Sequence, residues 1–203
     1  SCFEREGRYR QLYSRLEATY QIAPNHAVGT SISYNRMPSN KGVADMKSTM
    51  FDEQQLTEKL YSKILTPEQV STVTNNMYYI GKIGKVGVDF NLDWLWNKKK
   101  ENSKTQETYQ EIGNEEQNIL VDSKNNTKNN LVASKLLVTI PCLKGVISVG
   151  GEYSKCNRNN NYTVLPIGVL EDKDGHIEES LASAFGNYSR KIGTLKLQLG
   201  LRY

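Results

Sequence analysis

The stretch Thr194–Tyr203 constrains this chain more than any other. Leu195, Leu197, Leu199, Leu201 and Tyr203 fall on one parity, and Thr194, Lys196, Gln198, Gly200 and Arg202 on the other. A period of two puts these sets on opposite faces of an extended strand, one greasy and one wet. Such a strand suits a sheet packed on one side in water, or a barrel wall with one side in lipid.

The same alternation recurs along the chain. Leu12, Ser14, Leu16, Ala18, Tyr20 and Ile22 make the more apolar parity of a first strand, with Arg15, Glu17, Thr19 and Gln21 opposite. Pro24-Asn25-His26 is a turn, because proline fixes φ and asparagine tolerates turn geometry. Val28, Thr30, Ile32 and Tyr34 follow on a second strand. A weaker third strand runs from about Asn76 to Lys82 and turns at Gly84-Lys85. The fourth is strong: Val86, Val88, Phe90, Leu92, Trp94 and Trp96 oppose Gly87, Asp89, Asn91 and Asp93. Asp89 and Asp93 need water on their side, since an unpaired buried carboxylate is costly. Val132, Ser134, Leu136, Val138 and Ile140 oppose Lys135 and Thr139 on a fifth strand. Ile147, Val149, Gly151 and Tyr153 oppose Ser148 and Glu152 on a sixth. Ala182, Ala184, Gly186 and Tyr188 mark a seventh, which turns through Arg190–Gly193 into the last.

Between these strands, three polar stretches read as long connections: about Asn35 to Thr74, Asn97 to Asn130, and Lys155 to Glu178. In the first, Leu56, Leu60, Tyr61 and Ile64 are at helical spacing. Thr66-Pro67-Glu68-Gln69 resembles an N-cap, a first-position proline and a capping-box glutamine. The expectation is a short helix in that connection, over Phe51 to Leu65. It would be an ornament on a barrel mouth or the helix of an α+β domain.

The order of connections separates the two architectures. Those after the first, third, fifth and seventh strands are short, and those after the second, fourth and sixth are long. Outer-membrane barrels have short periplasmic turns and longer loops outside. Aromatic placement agrees. Tyr20 lies near a short-turn end, and Tyr34, Trp94, Trp96 and Tyr153 near long-connection ends. Such rings favour the headgroup zone, although cross-strand packing in a soluble sheet also uses them. The fold class expected is all-β: an antiparallel up-and-down meander of about eight strands, an arc of a transmembrane β-barrel.

The bulk numbers fit. The 203 residues carry a net charge of +4, and mean hydropathy is −0.60. No run approaches the roughly 18 apolar residues of a spanning helix, but barrels hide their lipid face in alternation. The charge is dispersed apart from Lys98-Lys99-Lys100, which gives no basis for nucleic acid as a partner. Cys2, Cys142 and Cys156 lack metal or redox spacing and read as isolated thiols. The chain starts without Met and stops inside a strand pattern. It is therefore read as one partial barrel domain, residues 1–203, truncated at both ends.

The C-terminal third resembles a known family. Gly150-Gly151-Glu152-Tyr153-Ser154 leads to Glu178-Glu179-Ser180-Leu181-Ala182-Ser183-Ala184-Phe185-Gly186-Asn187-Tyr188-Ser189, then to Lys191-Ile192-Gly193 and Leu197-Gln198-Leu199-Gly200-Leu201-Arg202-Tyr203. This is similar to the outer-membrane β-barrel of TonB-dependent receptors of Bacteroidetes-type bacteria. Tyr78–Lys85 and Asp89–Trp94 resemble an earlier hairpin of the same family. The resemblance implies a place in the cell outer membrane and a barrel of typically 22 strands with a plugged lumen. It implies import of a bulky solute: a siderophore, vitamin, glycan or peptide. The implied partners are outer-membrane lipid, a plug domain of the same full-length chain, TonB and the solute.

Site residues follow from the parities. Val88, Phe90, Leu92, Trp94, Trp96, Leu195, Leu197, Leu199 and Leu201 are expected to face lipid. Asp89, Asp93, Glu152, Gln198 and Arg202 are expected to face the lumen, with Glu17, Lys135 and Lys196. Asn159, Asn160, Asn161 and Tyr162 form an amide-rich loop tip able to hydrogen-bond a sugar or peptide. Glu171–His176 lacks the acid that a calcium loop needs where Leu170 stands, and reads as a polar turn. His26 and His176 have no Ser or Cys placed with them. No catalytic, metal or cofactor residue is assigned, and no enzyme is expected. Two other readings stay open: a soluble β-rich binding module, and a complete small structural or adhesive outer-membrane barrel.

Overall fold

The computed structural model describes residues 2–52, 55–166 and 172–203. Its elements are β1 (Cys2–Arg8), β2 (Leu12–Ala23), β3 (His26–Asp52), β4 (Gln55–Ile83), β5 (Val86–Glu111), β6 (Gln117–Cys142), β7 (Gly145–Leu165), β8 (Lys173–Ile192) and β9 (Leu195–Arg202). They form a single antiparallel sheet in which each strand from β3 onward pairs with the next in sequence. Both β1 and β2 pair with β3, so they make one interrupted edge. The interruption faces a bulge in β3 between Met37 and Asn40, where the Asn40 side chain accepts the Arg10 amide at 3.1 Å. The up-and-down meander follows the sequence reading, with the first expected strand matching β2.

Two-residue turns join β2 to β3, β4 to β5, β6 to β7 and β8 to β9, all at one end of the sheet. Gly84 and Gly193 open their turns at φ +60°, which costs glycine little. Leu143 and Lys144 do the same job at φ 51° and 60° without that freedom.

The other end corrects the sequence reading. The three long polar connections are mostly strand. The β3 and β4 ladder runs to Asp52↔Gln55, β5 and β6 to Tyr109↔Gln117, and β6 and β7 to Asp122↔Leu165. The expected helix over Phe51 to Leu65 is not formed. Apart from residues 53 and 54, which lie outside the described residues, the segment ends β3 and opens β4. The reason is arithmetic: a spacing of four keeps Leu60 and Ile64 on one face of a strand as well as of a helix, while a bulge between Leu56 and Glu58 shifts Leu56 off that register. Thr66–Gln69 is likewise strand, not a cap. Pro67, which has no N–H, sits where the β4–β5 ladder skips from Leu65↔Lys104 to Glu68↔Glu101.

Among the described residues the sheet is one layer thick. The buried hydrophobic residue is Val164, joined by the polar Asn40, Ser62 and Thr127. Leu16, Tyr20, Ile80, Phe90, Leu136 and Leu199 are all exposed. No second sheet or helix among the described residues covers them, so the described residues do not form a sandwich. No ladder joins β9 to β1 or β2, so the described sheet does not close on itself as a small complete barrel would.

Candidate functional site

Residues directly opposite in an antiparallel ladder share a face. The row Tyr20–Val28–Tyr79–Phe90–Leu136–Gly151–Ala184 crosses seven strands without a charge. The adjacent row, Thr19–Gly29–Tyr78–Asn91–Lys135–Glu152–Ser183, is polar apart from its glycine. Register therefore unites parities read separately from distant segments. Val88 of β5 aligns with Val138, Val149, Gly186 and Leu201, so the β5 and β9 apolar sets lie on one side of the sheet. Asp89, Asp93, Glu152, Gln198 and Arg202 lie on the other. A slip of one residue in any strand would invert that strand alone.

The apolar face has edges. On β5 it is uncharged from Val86 to Trp96, close to the roughly 9–11 residues that a tilted strand needs to cross a bilayer core. The next row up, Arg36–Ser71–Lys98–Lys128–Asn159–His176, is charged. On β7 and β8 the first charges are Lys155 and Glu178, which pair with each other lower in the ladder. Strands tilted against a level boundary give that offset. At the turn end Arg190 stands opposite Leu197, so Leu197 lies at the rim of the band and not at its middle.

The polar face is wired together. Glu152 accepts from Arg202 at 2.7 Å and pairs with Lys135 at 2.8 Å, while Arg202 also donates to Ser183 Oγ at 3.1 Å. The Lys135 ammonium lies 5.5 Å from the Phe185 ring centroid. Asn91 donates to Asp89 and Asn76 to Asp93, each at 2.7 Å. A cleft of about 230 Å³ opens between Asp93, Lys135, Glu152 and Ser183.

Asn159, Asn160, Asn161 and Tyr162 are within β7, not at a loop tip. Alternation splits them. Asn159 and Asn161 join the parity of Lys128 and Asn126, and Asn160 and Tyr162 the opposite parity, that of Glu152. Thr127 Oγ1 donates to Asn160 Oδ1 at 2.6 Å, His176 meets Asn159 Oδ1 at 2.6 Å, and Asn161 donates to Asp174 at 2.5 Å. Asp172 accepts the Val164 amide at 2.9 Å, while Leu170 and Glu171 of the same hexapeptide region lie outside the described residues. Cys2, Cys142 and Cys156 are free thiols.

The sequence reading singled out Lys98-Lys99-Lys100 as a cluster but assigned its side chains to no face. Alternation puts Lys99 on the face of Asp89 and Asp93, where it pairs with Glu101 at 2.8 Å and Glu68 at 3.6 Å. The hydrogen bond to Glu101 holds its ammonium above the usual lysine range. Lys98 and Lys100 take the opposite face, that of Phe90, beside Lys128, to line a groove of about 680 Å³. A signal was present, since a triplet on a strand always splits two against one.

Residues 81–203 match the Outer membrane protein beta-barrel family. A search of curated proteins finds no match. Among solved structures, the siderophore receptor PiuA from Acinetobacter baumannii is similar at 10% identity and TM-score 0.60, over 91% of this chain and 30% of that one. The ferric-catecholate import receptor Fiu from E. coli K12 is similar at 9% identity and TM-score 0.57, over 95% and 35%. The ferric citrate transporter FecA in its unliganded form is similar at 10% identity and TM-score 0.54, over 96% and 27%. At these identities the likeness is one of fold, and the chain spans about a third or less of each.

Proposed function

The chain belongs to the outer membrane protein β-barrel family, is a stretch of β-barrel wall in the outer membrane, and, we propose, forms part of a TonB-dependent receptor that imports a bulky solute. In this reading residues 1–203 are a single partial barrel domain, and a plug belongs to the same full-length chain. The outer parity of β5 and β9, including Val88, Phe90, Leu92, Trp94, Trp96, Leu195, Leu197, Leu199 and Leu201, meets lipid. The inner parity, with Asp89, Asp93, Glu152, Gln198 and Arg202, meets lumen water or the plug. Asn160 and Tyr162 share that inner parity higher on β7, so they, rather than Asn159 and Asn161, would meet a solute entering from outside.

One observation carries the reading: a one-layer sheet with an uncharged outer band and an ion-paired inner face, extended far past the band at one end only. β4 has 29 residues, about 95 Å at ~3.3 Å each, against the ~30 Å of a bilayer core. Such extensions suit walls that gather a solute above the membrane. The class is not enzymatic in this reading; the wall binds and guides.

The test is energised uptake by cells carrying the full-length protein, with and without TonB. The probes are a ferric siderophore, cobalamin, an oligosaccharide and an oligopeptide. TonB-dependent uptake of one class is the expected result. Equal, TonB-independent leak of all four would overturn the proposal.

A further inference from the structure

The face that carries Asp89 and Glu152 in the lower sheet changes character higher up. One row there runs Phe3–Met46–Ser62–Glu107–Ile119. Ile64 and Val121 lie one row below it, and Leu60 stands opposite Tyr109 one row above. Glu107 is about 36 Å along β5 from Trp96, at ~3.3 Å per residue, well beyond the uncharged band. Side chains close over Ser62, which is 1% exposed, yet Phe3 is 65% and Ile119 44% exposed. Apolar side chains gathered in the open mark a place where a partner lands.

Charge at the same height says what that partner carries. Glu58 and Glu111 stand directly opposite each other, on the face of Glu107. Like charges so placed destabilise a sheet. Lower on this face Glu68 and Glu101 are also opposite, and there Lys99 pairs with both. Among the described residues no ion pair reaches Glu58, Glu107 or Glu111. Glu111 takes only the neutral Asn114 amide, at 2.6 Å. Desolvation and the nearby carboxylates of Glu58 and Glu111 hold the Tyr109 phenol above its usual range. Arg5 is the cation of these rows among the described residues, and it stands at the β1 edge, opposite Ala44. We infer that this patch receives a cationic, partly apolar oligopeptide, whose Lys or Arg side chains reach Glu58, Glu107 and Glu111 while its apolar side chains settle on Met46, Ile64 and Ile119. Tyr109, between the carboxylates, offers a ring face to an ammonium or guanidinium group. An anionic solute meets repulsion before contact. The inference rests on the import reading, in which this face lines the path of the solute, and it names the class of that solute.

The test separates the two. The full-length protein in phosphatidylcholine nanodiscs is titrated against fluorescein-labelled octapeptides of alternating Lys-Leu, Glu-Leu or Lys-Ser, and anisotropy is read against empty nanodiscs. The Lys-Leu peptide should bind, and the other two at least about tenfold more weakly. Glu58→Gln/Glu107→Gln/Glu111→Gln should weaken the Lys-Leu peptide about tenfold and flatten its dependence on salt. Phe3→Ser/Ile119→Ser should weaken it with the salt dependence kept. Lys98→Gln, on the opposite face, should leave its affinity unchanged. Equal binding of the Lys-Leu and Glu-Leu peptides, binding of neither, or full affinity in the triple Gln variant would overturn the docking patch. TonB-dependent uptake of a ferric siderophore beside any of those three results leaves the import reading standing. Binding as expected, with the Lys-Leu peptide entering cells equally with and without TonB, upholds the patch and sinks the import reading instead.

Discussion

The lower and upper halves of this sheet share one hydrogen-bonded ladder and differ in almost everything else. Near the turns, Phe90, Leu136 and Val149 alternate with Asn91, Lys135 and Glu152, and the two faces are opposites. Beyond Lys98 and Lys128 both faces are mostly polar, yet Asn102↔Lys124 and Gln106↔Leu120 remain in the same register as Val88↔Val138. Strand formation there is inherited from pairing that starts at a two-residue turn and continues outward. Amphipathic patterning is needed only where the two sides meet different solvents.

The largest expected effect sharpens that contrast. Phe90→Arg or Leu136→Arg, in the middle of the outer band, should cost about 2–4 kcal/mol of folding stability in bilayers. Asn126→Arg, on the same face above the band, should cost almost nothing, as should Gln198→Arg on the inner face. Leu197→Arg should fall between, because Arg190 already stands opposite it at the rim. Denaturant titration in lipid vesicles measures all of these. Equal costs at Phe90 and Asn126 would erase the distinction between the halves.

The next effect concerns the inner face of the lower half. A Cβ added at Gly150 would lie 2.5 Å from the Phe185 ring and 2.6 Å from the Leu136 carbonyl oxygen. Gly150→Val should therefore cost about 1–3 kcal/mol through overpacking, and should free Lys135 from the ring. Gly175, in the upper half, has its nearest neighbour at 3.9 Å, so Gly175→Ala should be close to neutral on this count. A smaller, opposite effect belongs to the turn. Replacing Leu143-Lys144 by Asn-Gly should stabilise the β6–β7 hairpin by roughly 1 kcal/mol, since both positions need positive φ.

The smallest effect is a titration in the upper half. Tyr61 donates to Asp45 at 2.8 Å, and that bond to a carboxylate holds the phenol above its usual pKa near 10. With the folded value raised, the contribution of this bond is full below the unfolded value and is lost as pH rises through the folded one. Tyrosine absorbance should show Tyr61 ionising late, and Asp45→Asn should bring it back toward 10.

What could be read from sequence divides along the same line. The lower half was legible because Val86–Trp96, with Leu95 as its one exception, and Leu195–Leu201 alternate, and register later aligned them. The upper half was not. Segments such as Asn97–Asn130 carry polar side chains on both parities, so no period of two shows and polar strand looks like loop. Leu60 and Ile64 misled because a spacing of four satisfies both periods. The outer lysine cluster was hidden because Lys98, Lys128 and Asn159 are far apart in sequence and meet only through the ladder.

A spin-label scan along β6, from Asn118 to Pro141, in bilayers of the full-length protein tests the central claim most directly. Accessibility to oxygen against a water-soluble nickel chelate should alternate residue by residue from Ile140 to Val132, with Val132, Ser134, Leu136, Val138 and Ile140 on the oxygen side. Beyond Lys128 the alternation should vanish, with every site open to the chelate. Labels at Leu136 and Lys135 showing the same exposure, or alternation persisting up to Asn118, would contradict a wall that is half in lipid and half in water.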